Sequence, residues 1–475
     1  MSACCASNSR NGGFDLAVIG AGSAGFAAAT TAAEQGARVA LIGHGTIGGT
    51  CVNVGCVPSK TLIRAAESLH HAEAAARFAG IRGEARLDDW SSLVAQKDEL
   101  VRDLRQAKYV DLLPAYNTIA YIEAPARLSP EGVHANGDLL RASKTIVATG
   151  ASAARPSIPG IDDIDYLTST SALELEALPG SMLVIGGGYI GCELAQLLAR
   201  AGVDVTLVTR SRLLPQSEPE ISEALARYLG EEGIRVRTGL TYRRIRRSGG
   251  EITIDVETDG VGEALEAEAV LAATGRRPNT AELGLADVDV ALAENGGIRV
   301  DEHLRTSNAA IYAAGDVTGR HQFVYMAAYG ARLAALNALN GDSYRYDAAA
   351  MPMVTFTDPQ VASVGLTEAA AQAAGHEVKT SVLPLDAVPR ALAARDTRGV
   401  IKLVADRATD RLLGAHILAP EGADSIQTAA LAIKHGMTTR ELGETIFPYL
   451  TTVEGLKLVA LSFGMDVTKL SCCAG

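Results

Sequence analysis

Four residues separate Cys51 from Cys56 in "GGTCVNVGCVPSKTLI", and Lys60 follows four residues after the second sulfur. A helix N-terminus and a nearby ammonium both favour thiolate, so one of these sulfurs is expected to react at neutral pH. Structural zinc would require further nitrogen or sulfur ligands, and no second cysteine or histidine pair stands at suitable spacing nearby. Two buried cysteines acting as small hydrophobes are the bland alternative. A second pair, Cys472 and Cys473, closes the chain in "LSCCAG". Adjacent Cα atoms lie about 3.8 Å apart, below the roughly 4.4–6.8 Å of an unstrained disulfide, so this pair is a poor staple. An accident, a strained redox disulfide and a soft-metal ligand all remain open for it. Cys4 and Cys5 lie in a polar leader, and Cys192 falls on a helical stretch where it reads as a packing thiol.

Elements that could position these thiols are legible around them. "FDLAVIGAGSAGFAAATTAAEQGARVALI" reads as a buried strand, a glycine turn, an Ala-rich helix and a second strand. "MLVIGGGYIGCELAQLLARAGVDVTLVTR" repeats that unit. Gly20, Gly22 and Gly25 in the first copy, and Gly186, Gly188 and Gly191 in the second, have the spacing of a dinucleotide fingerprint. The first glycine allows the tight turn, the second lets backbone approach a pyrophosphate, and the third lets helix pack on strand. After the second copy the ribose-binding acid is absent, and Arg210 and Arg212 stand in its place. Guanidinium groups suit a 2′-phosphate, so this site is expected to prefer NADPH. The first copy ends in Gly43, which leaves its ribose contact unexplained.

The chain has 475 residues, enough for several cores, and 48% hydrophobic content is globular. A formal charge of −12 argues against nucleic-acid partners and anionic membrane surfaces. The run "LAVIGAGSAGFAAATTAA" is too broken by Gly, Ser and Thr to span a bilayer, so no membrane insertion is expected. "MSACCASNSRNGG" lacks the apolar core of a signal peptide, which points to the cytoplasm. The expected fold class is α/β. Residues 1–13 form a leader, 14–155 and 275–345 one Rossmann-like domain, and 156–274 a second inserted into it. Residues 346–475, with strands such as "GVIKLVAD" and "RLLGAHIL", form a C-terminal α+β domain at the subunit interface.

"GTCVNVGCVPSK" resembles the active-site signature of the pyridine nucleotide-disulfide oxidoreductases, which include glutathione reductase. The likeness runs from about Phe14 to the C-terminus in the same order of parts. It implies a glutathione reductase-like fold, FAD in the first domain, NADPH in the second, and a homodimer. It further implies that Cys56 faces the flavin and Cys51 is the exchange thiol. Lys60 and Glu193 resemble the ion pair beside the flavin, and Tyr189 the gate over the nicotinamide. Asp316 of "AAGDV" would bind the ribityl chain. Gly45, Thr50, Ala126 and Val324 fall where family members touch FAD. Gly43 departs from the family's usual glutamate.

Disulfide-reducing members carry a histidine followed five residues later by a glutamate. Here "FPYLTTVEGLKL" has Glu454, but Tyr449 takes the histidine position. A phenol with a pKa near 10 is a poor base at neutral pH, so an ordinary disulfide or dithiol is a poor substrate. Together with the terminal dithiol, this resembles the mercuric reductase branch. That resemblance implies capture of Hg(II) by Cys472 and Cys473 of one subunit and transfer to Cys51 and Cys56 of the other. Tyr189 and Tyr449 would line the path, and small thiols would carry the ion. A thioredoxin reductase-like enzyme with a redox tail is the nearest enzymatic alternative; a non-catalytic thiol protein that sequesters metal is the alternative of another class.

Overall fold

The computed structural model describes residues 13–466, so Cys4, Cys5, Cys472 and Cys473 lie outside the described residues. The chain forms two compact units. One comprises the chain up to Pro58, Asp98–Ser152 and Arg276–Tyr346; the other comprises Ser59–Lys97, Ala153–Gly275 and the chain from Asp347.

The first unit is built on a five-stranded sheet ordered Ile311–Ala313, Ala142–Val147, Phe14–Ile19, Val39–Gly43, Ile119–Glu123, with every pairing parallel. Parallel strands covered on both faces read as unbroken apolar runs, and "LAVI" and "VALI" are such runs with side chains at most 3% exposed. Helices Ser23–Glu34 and Val324–Asn340 pack together through Ala28, Ala29 and Ala32 of one and Ala331, Ala334 and Ala335 of the other, all fully buried. Such small side chains let the two backbones come close, and the long apolar tract of the sequence is a buried strand, a glycine turn and a packed helix. The short strand Ile311–Ala313 returns to this sheet and delivers the "AAGDV" turn.

The second unit repeats the parallel plan in the order Arg235–Arg237, Asp204–Val208, Ser181–Ile185, Ala269–Ala272. A three-stranded antiparallel sheet, Thr241–Ser248, Glu251–Thr258 and Val261–Ala267, accompanies it. The C-terminal part carries a five-stranded antiparallel sheet ordered Met353–Thr355, Gln360–Gly365, Leu412–Ala419, Val400–Asp406, Val378–Pro384. Helix Gly422–Lys434 buries Ile426, Ala429, Ala430 and Ala432 in the same core as this sheet. No described helix is long and apolar enough to cross a membrane.

Candidate active site

The dithiol segment starts against the first glycine turn. Gly48 N–H donates to Ala21 O at 2.9 Å, and a Cβ on Gly49 would lie 2.6 Å from Gly22 Cα. Both glycines have positive φ, +96° and +66°, so the chain turns sharply there and enters the short helix Gly49–Val54, which carries Cys51. The Asn53 amide donates to Ile47 O and Gly49 O at 2.9 and 2.8 Å, and Arg105 donates to Asn53 Oδ1 at 3.2 Å. The helix Cys56–Ala74 then begins at the second cysteine, with Pro58 in its first turn where a missing N–H costs nothing. Cys51 thus has a short helix of its own, and Cys56 stands at the positive end of a long one. Both cysteines are half-buried.

Sequence reasoning missed Tyr109. Its ring stacks edge-on against Phe26 with centroids 4.9 Å apart, and its hydroxyl lies 3.3 Å from Ser23 Oγ. Burial pushes the phenol pKa up, the Ser23 bond opposes this, and the Cys51 and Cys56 sulfurs add to the rise. Tyr109 therefore belongs to the surroundings of the dithiol. It sits on a π-helical turn, Gln106–Val110, a feature no local motif announces.

In the second unit, Lys60 Nζ donates to Glu193 Oε2 at 2.7 Å, and the other carboxylate oxygen accepts from Phe356 N at 2.9 Å. The ammonium also lies 5.0 Å from the centre of the Phe356 ring. Glu193 is 7% exposed, so this pair is far better shielded than a surface ion pair. Tyr189 opens the helix Tyr189–Arg200, and its hydroxyl donates to Met353 Sδ at 3.6 Å. Burial raises its pKa and keeps it a neutral phenol. Phe356 and Met353 gave no sequence signal, because neither stands in a motif. Glu454 opens the helix Glu454–Leu461 and accepts from Leu450 N at 3.2 Å, while Tyr449 is 44% exposed. Cys192 is fully buried, its thiol donates to Gly187 O at 3.6 Å, and burial pushes its pKa up, as a packing thiol requires.

The two fingerprints have matching geometry. A Cβ on Gly20 would lie 2.2 Å from Ala148 O, and one on Gly186 would lie 2.3 Å from Ala273 O. The third glycines, Gly25 and Gly191, leave only 1.7 and 1.8 Å to the carbonyl oxygens of Gly20 and Gly186. At the middle positions, a Cβ on Gly22 would meet nothing nearer than 3.5 Å, and one on Gly188 nothing within 4 Å. Gly22 and Gly188 are the N-caps of the helices that follow, and as glycines they bring no capping side chain. Each turn thus leads into a helix N-terminus, whose first backbone N–H groups suit a pyrophosphate.

Comparison with known proteins agrees. The family model described as pyridine nucleotide-disulphide oxidoreductase matches residues 14–333, and its dimerisation domain matches 351–460. This chain belongs to the pyridine nucleotide-disulphide oxidoreductases, in their mercuric reductase group. It is 47% identical to the mercuric reductase of Streptomyces lividans, across 98% of this chain and 99% of that protein. Identity to the mercuric reductase of Bacillus cereus is 49%, across 97% of this chain and 73% of that one. A solved structure of the Escherichia coli HOCl-induced flavoprotein disulfide reductase RclA, as a Cu(II) complex, matches 96% of this chain with a TM-score of 0.83 and 30% identity.

Membership brings FAD and NADPH as cofactors and a homodimer as the assembly. The residues present fit both nucleotides. Asp316 follows the turn at Gly315, a glycine whose Cβ would lie 3.1 Å from Ala24 Cβ, so the acid stands beside the first fingerprint helix. Burial raises its pKa, against the opposing charge of Arg276 at 3.8 Å, and such a carboxylate gains by accepting from a ligand hydroxyl. A Cβ on Gly45 would meet open space, Thr50 lies on the dithiol helix, Ala126 opens the strand Ala126–Ser129, and Val324 opens the helix Val324–Asn340. At the second site the arginines divide. Arg212 donates to Pro215 O at 2.9 Å and Ser217 O at 2.8 Å, bracing its own loop. Arg210 has no hydrogen-bond or ion-pair partner among the described residues and stands just beyond the second strand, exposed.

Proposed function

We propose that this protein uses NADPH to reduce Hg(II) to elemental mercury, with Cys51 and Cys56 as the thiols that hold the ion during reduction. The observation that carries this reading is the end-to-end match to the Streptomyces lividans mercuric reductase. FAD, when bound, would supply the two-electron link between a nicotinamide and the thiol-held ion. Residues 14–155 and 275–345 hold it, 156–274 hold NADPH, and 346–475 join the two subunits.

The chain's own groups supply the rest. Thiolates are soft ligands and hold Hg(II) tightly while still exchanging it for another thiolate. Glu193 fixes the ammonium of Lys60, and the helix dipole at Cys56 favours its thiolate. Tyr189 and Tyr449 offer hydroxyls along the approach, that of Tyr189 kept neutral by burial. Cys472 and Cys473 of one subunit take Hg(II) from small thiols and hand it to Cys51 and Cys56 of the other. The protein acts in the cytoplasm, where thiols stay reduced.

One assay tests this. NADPH absorbance is followed with Hg(II) in excess small thiol, and separately with thioredoxin. Hg(II)-dependent oxidation should fall to background in Cys51→Ala and Cys56→Ala. The double variant Cys472→Ala with Cys473→Ala should lose most rate when Hg(II) is carried by a bulky thiol. Full rate in either Cys51→Ala or Cys56→Ala, or consumption with thioredoxin alone, would refute the assignment.

A further inference from the structure

Gly43 ends the second strand of the first nucleotide unit, where an acidic side chain ordinarily meets the ribose of the adenosine. Its φ is not positive, so backbone conformation does not demand glycine there. Space does. A Cβ at this position would lie 2.6 Å from Ala21 Cβ, 2.9 Å from Tyr121 Oη and 3.1 Å from Tyr121 Cε2. The tip of a tyrosine from the neighbouring strand Ile119–Glu123 fills the volume that the missing side chain would need.

That tyrosine arrives by register. Gly43 pairs with Glu123, Leu41 pairs with Tyr121, and alternate residues of a strand share a face. Tyr121 and Glu123 therefore both project from the face that borders Gly43. The ring of Tyr121 is half-buried in the core of the first unit. Its hydroxyl has no hydrogen-bond partner among the described residues, although a buried phenol usually finds one. Burial and then the Glu123 carboxylate push its pKa up, so it is a neutral hydroxyl at any working pH, able both to donate and to accept.

We propose that the Tyr121 hydroxyl, delivered from the adjacent strand into the space vacated at Gly43, is the contact for the adenosine 2′-hydroxyl of FAD. The chain has moved the ribose contact from one strand end to the next, exchanging a carboxylate for a phenol. Glu123, the register partner of Gly43 itself, is a carboxylate there and disfavours a 2′-phosphorylated nucleotide.

Flavin-free protein is titrated with FAD, and with the flavin dinucleotide whose adenosine lacks its 2′-hydroxyl, and binding is read by quenching of flavin fluorescence. The unaltered protein should bind the deoxy compound about tenfold more weakly, a difference of about 1.4 kcal/mol. Tyr121→Phe keeps the ring and removes one oxygen. It should bind FAD about tenfold more weakly than the unaltered protein and treat both dinucleotides alike. A Tyr121→Phe protein that binds FAD with unaltered affinity would overturn the proposal. So would one that still prefers FAD tenfold over the deoxy compound, whatever its absolute affinity.

Discussion

The glycine turns at 20–25 and 186–191 repeat each other to within a few tenths of an ångström. Their first glycines have φ of +118° and +119°, and the blocking carbonyl oxygens stand 2.2 and 2.3 Å from where a Cβ would go. Of the middle glycines, Gly188 faces open space and Gly22 borders Gly49 at ordinary contact distance, and neither caps its helix with a side chain. What differs lies at the end of the second strand and in the loop beyond it. After Gly43 the chain folds back on the turn and enters the dithiol helix. After Val208 it runs into Arg210 and a loop braced by Arg212. The two glycine turns share one geometry, and the chain around each second-strand end is where they part.

The hardest way to break this comparison is to damage each cradle separately. Alanine at position 20 or 186 meets both an unfavourable φ and a backbone carbonyl that has little room to retreat, at a cost of several kcal/mol against a total stability of about 5–15 kcal/mol. Gly20→Ala should purify without flavin colour. Gly186→Ala should remain yellow, yet its visible flavin band should not bleach when NADPH is added. If both variants lose flavin alike, the two turns are not independent cradles and the comparison fails.

Exchange of the residue beyond the second strand should matter less, and only for one nucleotide. Arg210→Ala should raise the KM for NADPH about 10- to 100-fold, the range of a lost charge-assisted contact of about 1.5–3 kcal/mol, and leave the KM for NADH unchanged. Arg212→Ala, which frees a loop rather than a phosphate contact, should change both nucleotides by a similar and smaller factor. Equal effects of Arg210→Ala on NADPH and NADH would remove the assigned 2′-phosphate contact.

Much of this was readable beforehand because it is local. Glycine spacing, a cysteine pair ahead of a helix, and apolar runs for buried parallel strands all depend on a few neighbouring residues, and the strands and helices they define lie where expected. The charged pair Lys60 and Glu193 was found through resemblance, since 133 residues separate its members. Contacts made by side chains without a motif stayed hidden. Tyr109 reaches the dithiol from a π-turn, Phe356 holds Glu193 through its backbone N–H, and Tyr121 fills a gap that the sequence showed only as a glycine. Arg210 and Arg212 read alike as letters, and only their surroundings separate them.

Asp316 sharpens the comparison most finely, since it is the acid proposed for the first cradle and stands beside its helix. Burial raises its pKa in the folded protein above the ordinary carboxylate value of about 4, so its charge is carried at a cost whenever the pH lies above that value. The flavin-free protein should therefore lose stability from this group as pH rises from about 4 through the folded pKa, and not regain it at neutral pH. Asp316→Asn removes the charge. Melting of the flavin-free variant should occur above that of the unaltered protein at neutral pH, with the gap closing as pH falls toward 4. Its affinity for FAD should drop about tenfold, as expected for one lost bond to a charged acceptor. A variant that melts lower at neutral pH while binding FAD normally would mean that the carboxylate serves the fold through Arg276 and not the nucleotide.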